Sequence, residues 1–168
     1  LNRVRNNRVD DEVIRNLNAR HDPGFAADDS AGYITLSNHN RKADHINAAR
    51  LEALEPPAYH YDAEIEGDFP DHAYPTAASL RLKQGAQVMF VRNDLSPEKR
   101  YFNGKIGTIA RIDGDEIRIR CAGESEEIVV EPSTWENIEY TLDPKTMEIS
   151  ENTIGTFRQV PLRLAWAI

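Results

Sequence analysis

The chain has 168 residues, 28 of them acidic and 20 basic, for a net charge of −8, which excludes a uniformly basic nucleic-acid-binding domain but not a local basic face. A single cysteine, Cys121, excludes an internal disulfide, and the histidines are not spaced for a zinc site. No apolar run is long enough to cross a bilayer, so the reading is a soluble, cytoplasmic chain with no membrane partner, large enough to bury its own core.

In chain order, "RVDDEVIRNLNAR" sets Val9, Val13, Ile14 and Leu17 at helical spacing, with Asp10 and Asp11 at the positive end, and "HDPG" stops the helix. "AGYITLSNHN" reads as a short strand that breaks into a polar loop. "RKADHINAARLEAL" follows with Ala43, Ile46, Ala49, Leu51 and Leu54 on a helical period, with Asn38 or Asn40 as the N-cap and Pro56 and Pro57 as the stop. Strand, loop and helix in this order form the unit of an α/β sheet, whose ligands sit at strand ends.

From Tyr59 the helical period disappears. "AYHYDAEIE" alternates as a strand, and Pro70 and Pro75 mark an irregular link. Six β-prone runs then follow: "AQVMFVRND", "GKIGTIARID", "GDEIRIRCAG", "EEIVVEP", "ENIEYTLDP" and "MEISENTIGTFRQVPL". Short strands punctuated by Gly, Asp, Asn and Pro predict a small antiparallel barrel, with Asp113-Gly114 as a hairpin turn. The predicted fold class is therefore α/β plus all-β. Residues 1–84 form the first part of an α/β domain, 85–160 an inserted SH3-like barrel, and 161–168 the return to the α/β domain. The chain starts at Leu1 and stops in the apolar run "PLRLAWAI", which predicts a piece of a longer polypeptide.

No GxxxxGK[ST], GxSxG, HExxH or GxGxxG motif is present. Two polar loops carry the remaining signals. "SNHNRK" gathers amides, Asn38, Asn40, Arg41 and Lys42 at a helix start, which suits an anion. "YFNGKIGTI" combines Arg100, Tyr101, Asn103 and Lys105 around Gly104 and Gly107. Those side chains suit a phosphate backbone, with Tyr101 or Phe102 available to stack on a base. Each loop also has a purely structural reading, as a helix cap and a barrel turn. The charge distribution favours the second loop: residues 81–111 hold seven bases and two acids, whereas 112–151 hold three bases and twelve acids.

Taken together, "GYITLSNHNRKADHIN", "YDAEIEGDFP", "LKQGAQVMFVRND", "YFNGKIGTI" and "PLRLAWAI" resemble, in that order, the C-terminal half of superfamily 1 DNA helicases of the RecD-like and Pif-like branch. The resemblance implies part of a RecA-like second motor domain carrying the inserted SH3-like barrel. It implies an ATP-dependent 5′ to 3′ helicase as the parent, with single-stranded DNA and the first motor domain as partners. ATP and Mg²⁺ would be cofactors of the parent and not of this part, which lacks the phosphate loop and is expected to be inactive alone. Ser37 to Asn40 match the strand-end motif facing nucleotide or DNA, with His39 where threonine is common. Arg92, Asn93, Asn103 and Gly104 match the barrel entry that borders the DNA path. The expected DNA-binding set is Asn38, Asn40, Lys42, Arg92, Asn93, Arg100, Tyr101, Asn103 and Lys105. The alternative is a free-standing SH3-like module that binds nucleic acid or peptide.

Overall fold

The computed structural model describes residues 2–25, 32–142, 144 and 147–168, and falls into two units, 1–31 and 32–168. In the first unit, α1 (Asn2–Arg5) leads through Asn7, at a φ of 53°, into α2 (Asp11–Asn18). The predicted helix is present, and Asp10 caps it by accepting the Val13 amide at 3.0 Å. That amide, with Arg3 close by, holds the Asp10 carboxyl below its ordinary range.

The second unit opens on the segment predicted as a strand. Ala31 lies outside the described residues, and the remainder makes one parallel bridge, Thr35 to Ala167. The Thr35 amide donates to Trp166 (2.9 Å) and the Ser37 amide to Ile168 (2.8 Å). A full strand does not form here: residues 166–168 supply its only ladder among the described residues, and Leu36 is 80% exposed.

Helix α3 (Asn40–Glu52) follows, with His39 at the N-cap and no side-chain capping bond. The expected Asn38 or Asn40 cap is therefore corrected. Ser37 shapes the approach instead, its hydroxyl accepting the His39 amide (3.2 Å) and donating to the His39 carbonyl (3.1 Å). The buried stripe is Ala43, Asn47 and Leu51, with Ile46 and Leu54 beside it, while Ala49 is exposed.

Among the described residues, ten strands complete the unit. The segment read as one strand from residue 58 to 66 is two, β1 (Tyr59–Asp62) and β2 (Glu64–Gly67), in different sheets. β1 pairs antiparallel with β3 (Ser79–Leu82). A five-stranded antiparallel sheet runs in the order β10 (Leu162–Leu164), β4 (Gln87–Phe90), β5 (Ile106–Asp113), β6 (Glu116–Cys121), β7 (Ile128–Val130). A third sheet places β9 (Ile149–Gln159) between β2 and β8 (Ser133–Leu142). All six runs predicted between residues 86 and 162 contain a strand. Hydrogen bonding crosses both boundaries drawn in the sequence, because β2 joins β9 and β10 joins β4.

The core is built where these sheets meet α3. Leu82, Val88, Phe90, Ile109, Ile117, Ile119, Val130 and Leu162 are almost wholly buried, each worth about 1.5–3 kcal/mol of transfer free energy. Two glycines position it. A Cβ on Gly107 would lie 2.4 Å from Ile119 Cγ2 and 2.9 Å from the Arg120 carbonyl, so β5 and β6 approach closely only because that position is bare. The β5–β6 turn has Gly114 at a φ of 60° and Asp113 paired with Glu116. The turn therefore centres on Gly114-Asp115, one residue later than Asp113-Gly114, with glycine first as a type II′ turn requires.

Buried polar side chains tie down the irregular segment after β9. Asn47 clasps Ala167 from both sides, accepting its amide and donating to its carbonyl, each at 2.9 Å. Gln87 donates to the carbonyls of Tyr33 (3.0 Å) and Ala165 (2.8 Å), and Thr76 donates to that of Leu162 (2.6 Å). These amides replace the ladder bonds that a continuing strand would have supplied.

Candidate nucleic-acid interface

The nine expected contact residues fall into two groups, and no hydrogen bond or ion pair joins the groups among the described residues. Asn38, Asn40 and Lys42 sit together at the start of α3, all exposed. The first turn of α3 carries Arg41 and Lys42 and no acid, so amide donors and cations share this end.

The other six line the long connection between β4 and β5, residues 91–105. Its neck is closed by backbone bonds, Gly104 amide to Phe90 carbonyl (2.8 Å) and Phe90 amide to Lys105 carbonyl (2.9 Å), with Gly104 at a φ of 95°. Asp94 organises the loop. Its carboxylate accepts the amides of Ser96 and Arg100, both at 2.8 Å, and its own amide donates to the Tyr101 carbonyl at 3.0 Å. Asn93 Oδ1 accepts the Asn103 amide at 2.8 Å. Partial burial pushes the Asp94 carboxyl upward, but the amides of Ser96 and Arg100 and the Arg100 charge outweigh it, leaving a value below the ordinary 3.8.

Within that frame, three of the expected contacts are turned to internal work. Tyr101 stacks on Phe90, ring centroids 4.2 Å apart and 16° from parallel, and burial raises its phenol pKa above 10.0. Lys105 Nζ donates to Glu124 and to the Arg100 carbonyl, both at 2.5 Å, and its side chain is only 13% exposed. Arg92 donates to the Thr134 carbonyl, and its guanidinium carbon lies 5.2 Å from the centre of the Trp135 ring.

Arg100 and Asn103 remain exposed, and two neighbours join them that were not in the expected set. Lys99 is exposed, at a φ of 46°, and Phe102 is 60% exposed. The sequence signal for both was present in "EKRYFNG", but the choice between Tyr101 and Phe102 as the free ring depended on which one met Phe90. Arg92, Asn93, Tyr101 and Thr134 line a cleft of about 330 Å³ beneath this loop. The outward set of two cations, an aromatic face and an amide can grip phosphate and stack on a base.

No family model matches the chain. It is 35% identical over 95 residues to the ATP-dependent DNA helicase Pif1 of Bdellovibrio bacteriovorus, a match covering 56% of this chain and 19% of that protein. Among solved structures, Pif1 from Bacteroides sp. in complex with ADP-AlF4 superposes over 99% of this chain and 37% of its own, at 33% identity and a TM-score of 0.85. Bacteroides Pif1 bound to single-stranded DNA superposes over the same shares at 32% identity and a TM-score of 0.73. The chain thus spans about a fifth to just over a third of these relatives. Since sequence and fold agree along its length, the chain belongs with the Pif1-like helicases of superfamily 1, of which it corresponds to a part.

Proposed function

We propose that these 168 residues form part of an ATP-dependent DNA helicase of 5′ to 3′ polarity, supplying single-stranded DNA contacts and part of the second, RecA-like motor domain with its SH3-like insertion. The observation that carries this reading is the superposition of 99% of the chain on a Pif1 structure bound to single-stranded DNA. The free-standing module leaves α3 and the segment before it without a role, whereas the match includes both. In this reading the contacts come from Asn38, Asn40 and Lys42 at the start of α3 and from Lys99, Arg100, Phe102 and Asn103 on the β4–β5 loop. Arg92, Asn93, Tyr101 and Lys105 hold that loop in shape.

In this reading ATP and Mg²⁺ are cofactors of the parent helicase: the sequence here has no phosphate loop, so the chain alone is expected to hydrolyse no ATP.

The test is fluorescence anisotropy of the chain with a labelled single-stranded oligonucleotide at two salt concentrations. Binding should weaken with salt, by about 0.7 in the log–log slope for each phosphate neutralised, and Lys99→Ala/Arg100→Ala should lower that slope. Salt-independent binding, or binding unchanged in the double variant, would remove the loop from the DNA path.

A further inference from the structure

Beyond the DNA-binding reading, the third sheet carries an arm whose surface suits a different partner. After the irregularity between Asn137 and Ile138, β8 and β9 continue as a two-stranded ribbon in the register Ile138↔Thr153, Tyr140↔Glu151, Leu142↔Ile149. Opposed residues share a face and side chains alternate, so Ile138, Tyr140, Leu142 and Ile149 lie on one side. The other side is polar, with Glu139 opposite Asn152 and Thr141 bonded to Ser150 at 2.7 Å. Tyr140 is 62% exposed, Leu142 55% and Ile149 68%. Both edges of the arm are also open among the described residues: β2 stops opposite Gly155, leaving residues 149–153 with β8 as their strand neighbour, and residues 138–142 of β8 have no strand on their far side.

The charge on this arm selects the occupant. From residue 135 to 153 the sequence holds five acids, Glu136, Glu139, Asp143, Glu148 and Glu151, against one base, Lys145. Glu151 lies within the apolar face, and neither it nor Glu139 has a cationic partner among the described residues. Phosphates and anionic headgroups would be repelled. A second copy paired along β8 would set glutamate against glutamate, which opposes self-association.

We propose that the apolar face and open edge of the β8–β9 arm dock an extended segment of another protein in which apolar side chains alternate with Lys or Arg. The segment adds as a strand, its apolar residues cover Tyr140, Leu142 and Ile149, and a cation meets Glu151. This reading is independent of the DNA contacts at the β4–β5 loop.

The probe is a synthetic peptide alternating Val and Lys, titrated into the chain while amide exchange of β8 and β9 is followed, with a Val and Glu peptide as control. The Lys peptide should protect residues 138–142 and 149–153, and the Glu peptide should not. Leu142→Ser/Ile149→Ser should weaken binding roughly tenfold, and Glu151→Lys should do the same while admitting the Glu peptide. Glu126→Lys, on the β6–β7 connection, reports non-specific attraction to an acidic protein and should change little. All substituted side chains are exposed, and unchanged thermal unfolding confirms folding. Binding that ignores the serine variant, or falls equally in Glu126→Lys, would overturn the proposal. So would arm protection that depends on protein concentration alone, which indicates a second copy, or protection by an oligonucleotide.

Discussion

Two hairpins in this molecule are written in nearly the same local code and end in opposite environments. β5–β6 alternates Ile109, Ile112, Ile117 and Ile119 with charged residues, and all four isoleucines are buried. β8–β9 alternates Ile138, Tyr140, Leu142 and Ile149 with Glu, Thr and Ser, and three of these four are more than half exposed. The difference lies in what covers each face. β5–β6 sits between β4 and β7 with a shared cluster against it, whereas among the described residues no third strand or helix lies over the outer half of β8–β9. Alternation specifies a two-faced ribbon, and only the third element decides whether the apolar face is a core or a surface.

Substitutions on the two hairpins test this contrast directly. The largest loss should come beside the buried hairpin: Phe90→Ala removes a ring that is wholly buried and stacked on Tyr101, and should cost about 3–5 kcal/mol in urea unfolding. A cost under 1 kcal/mol would mean that this core is loosely packed. Ile119→Ala should follow at about 2–5 kcal/mol, while Ile149→Ala, the same kind of truncation on the arm, should stay within about 0.5 kcal/mol. Equal effects for the two isoleucines would break the comparison.

Asn47→Ala lies between these extremes. It strands the amide and carbonyl of Ala167 in a buried site, at about 1–3 kcal/mol. Amide exchange at Ala167 should accelerate beyond the global change, and a uniform change would show that the clasp has no local role.

The smallest effect concerns acid. Because the Asp94 carboxyl lies below 3.8 when folded, its bonds to Ser96 and Arg100 stabilise the loop above the unfolded value and are lost only as the pH falls through the folded one. Carboxyl NMR should therefore place Asp94 below 3.8. A titration at or above that value would show that the loop is not held by the ionised group. The group is only partly buried on a surface loop, so global stability should hardly register the change.

The legible parts were those with a strong local cause. The helix that starts at its acidic pair Asp10 and Asp11 and the six β-prone runs follow from residue types that only a few backbone arrangements accept. Of the short strand read at the start of "AGYITLSNHN", only the bridge at Thr35 forms among the described residues, because pairing depends on what lies alongside. The N-cap expected from Asn38 or Asn40 fell instead to His39, which makes no side-chain capping bond, while the Ser37 hydroxyl closes a short loop on His39. In the candidate interface, the stretch "EKRYFNG" pointed to the β4–β5 loop but not to which of its side chains remain exposed.

The amino-acid sequence by itself determined the order of helix and strands, the turn at Gly114, the basic character of residues 81–111 and the family resemblance, since each depends on near neighbours or on ordered motifs. The tertiary structure alone decided that Tyr101 lies on Phe90 while Phe102 faces outward, and that Lys105 is held by Glu124. It alone also decided that Asn47 serves residue Ala167 and that β2 and β10 join sheets with strands far along the chain. The physical reason is that burial and polar pairing are satisfied by whatever the fold brings within about 3–4 Å, and no local pattern specifies which distant residue that will be.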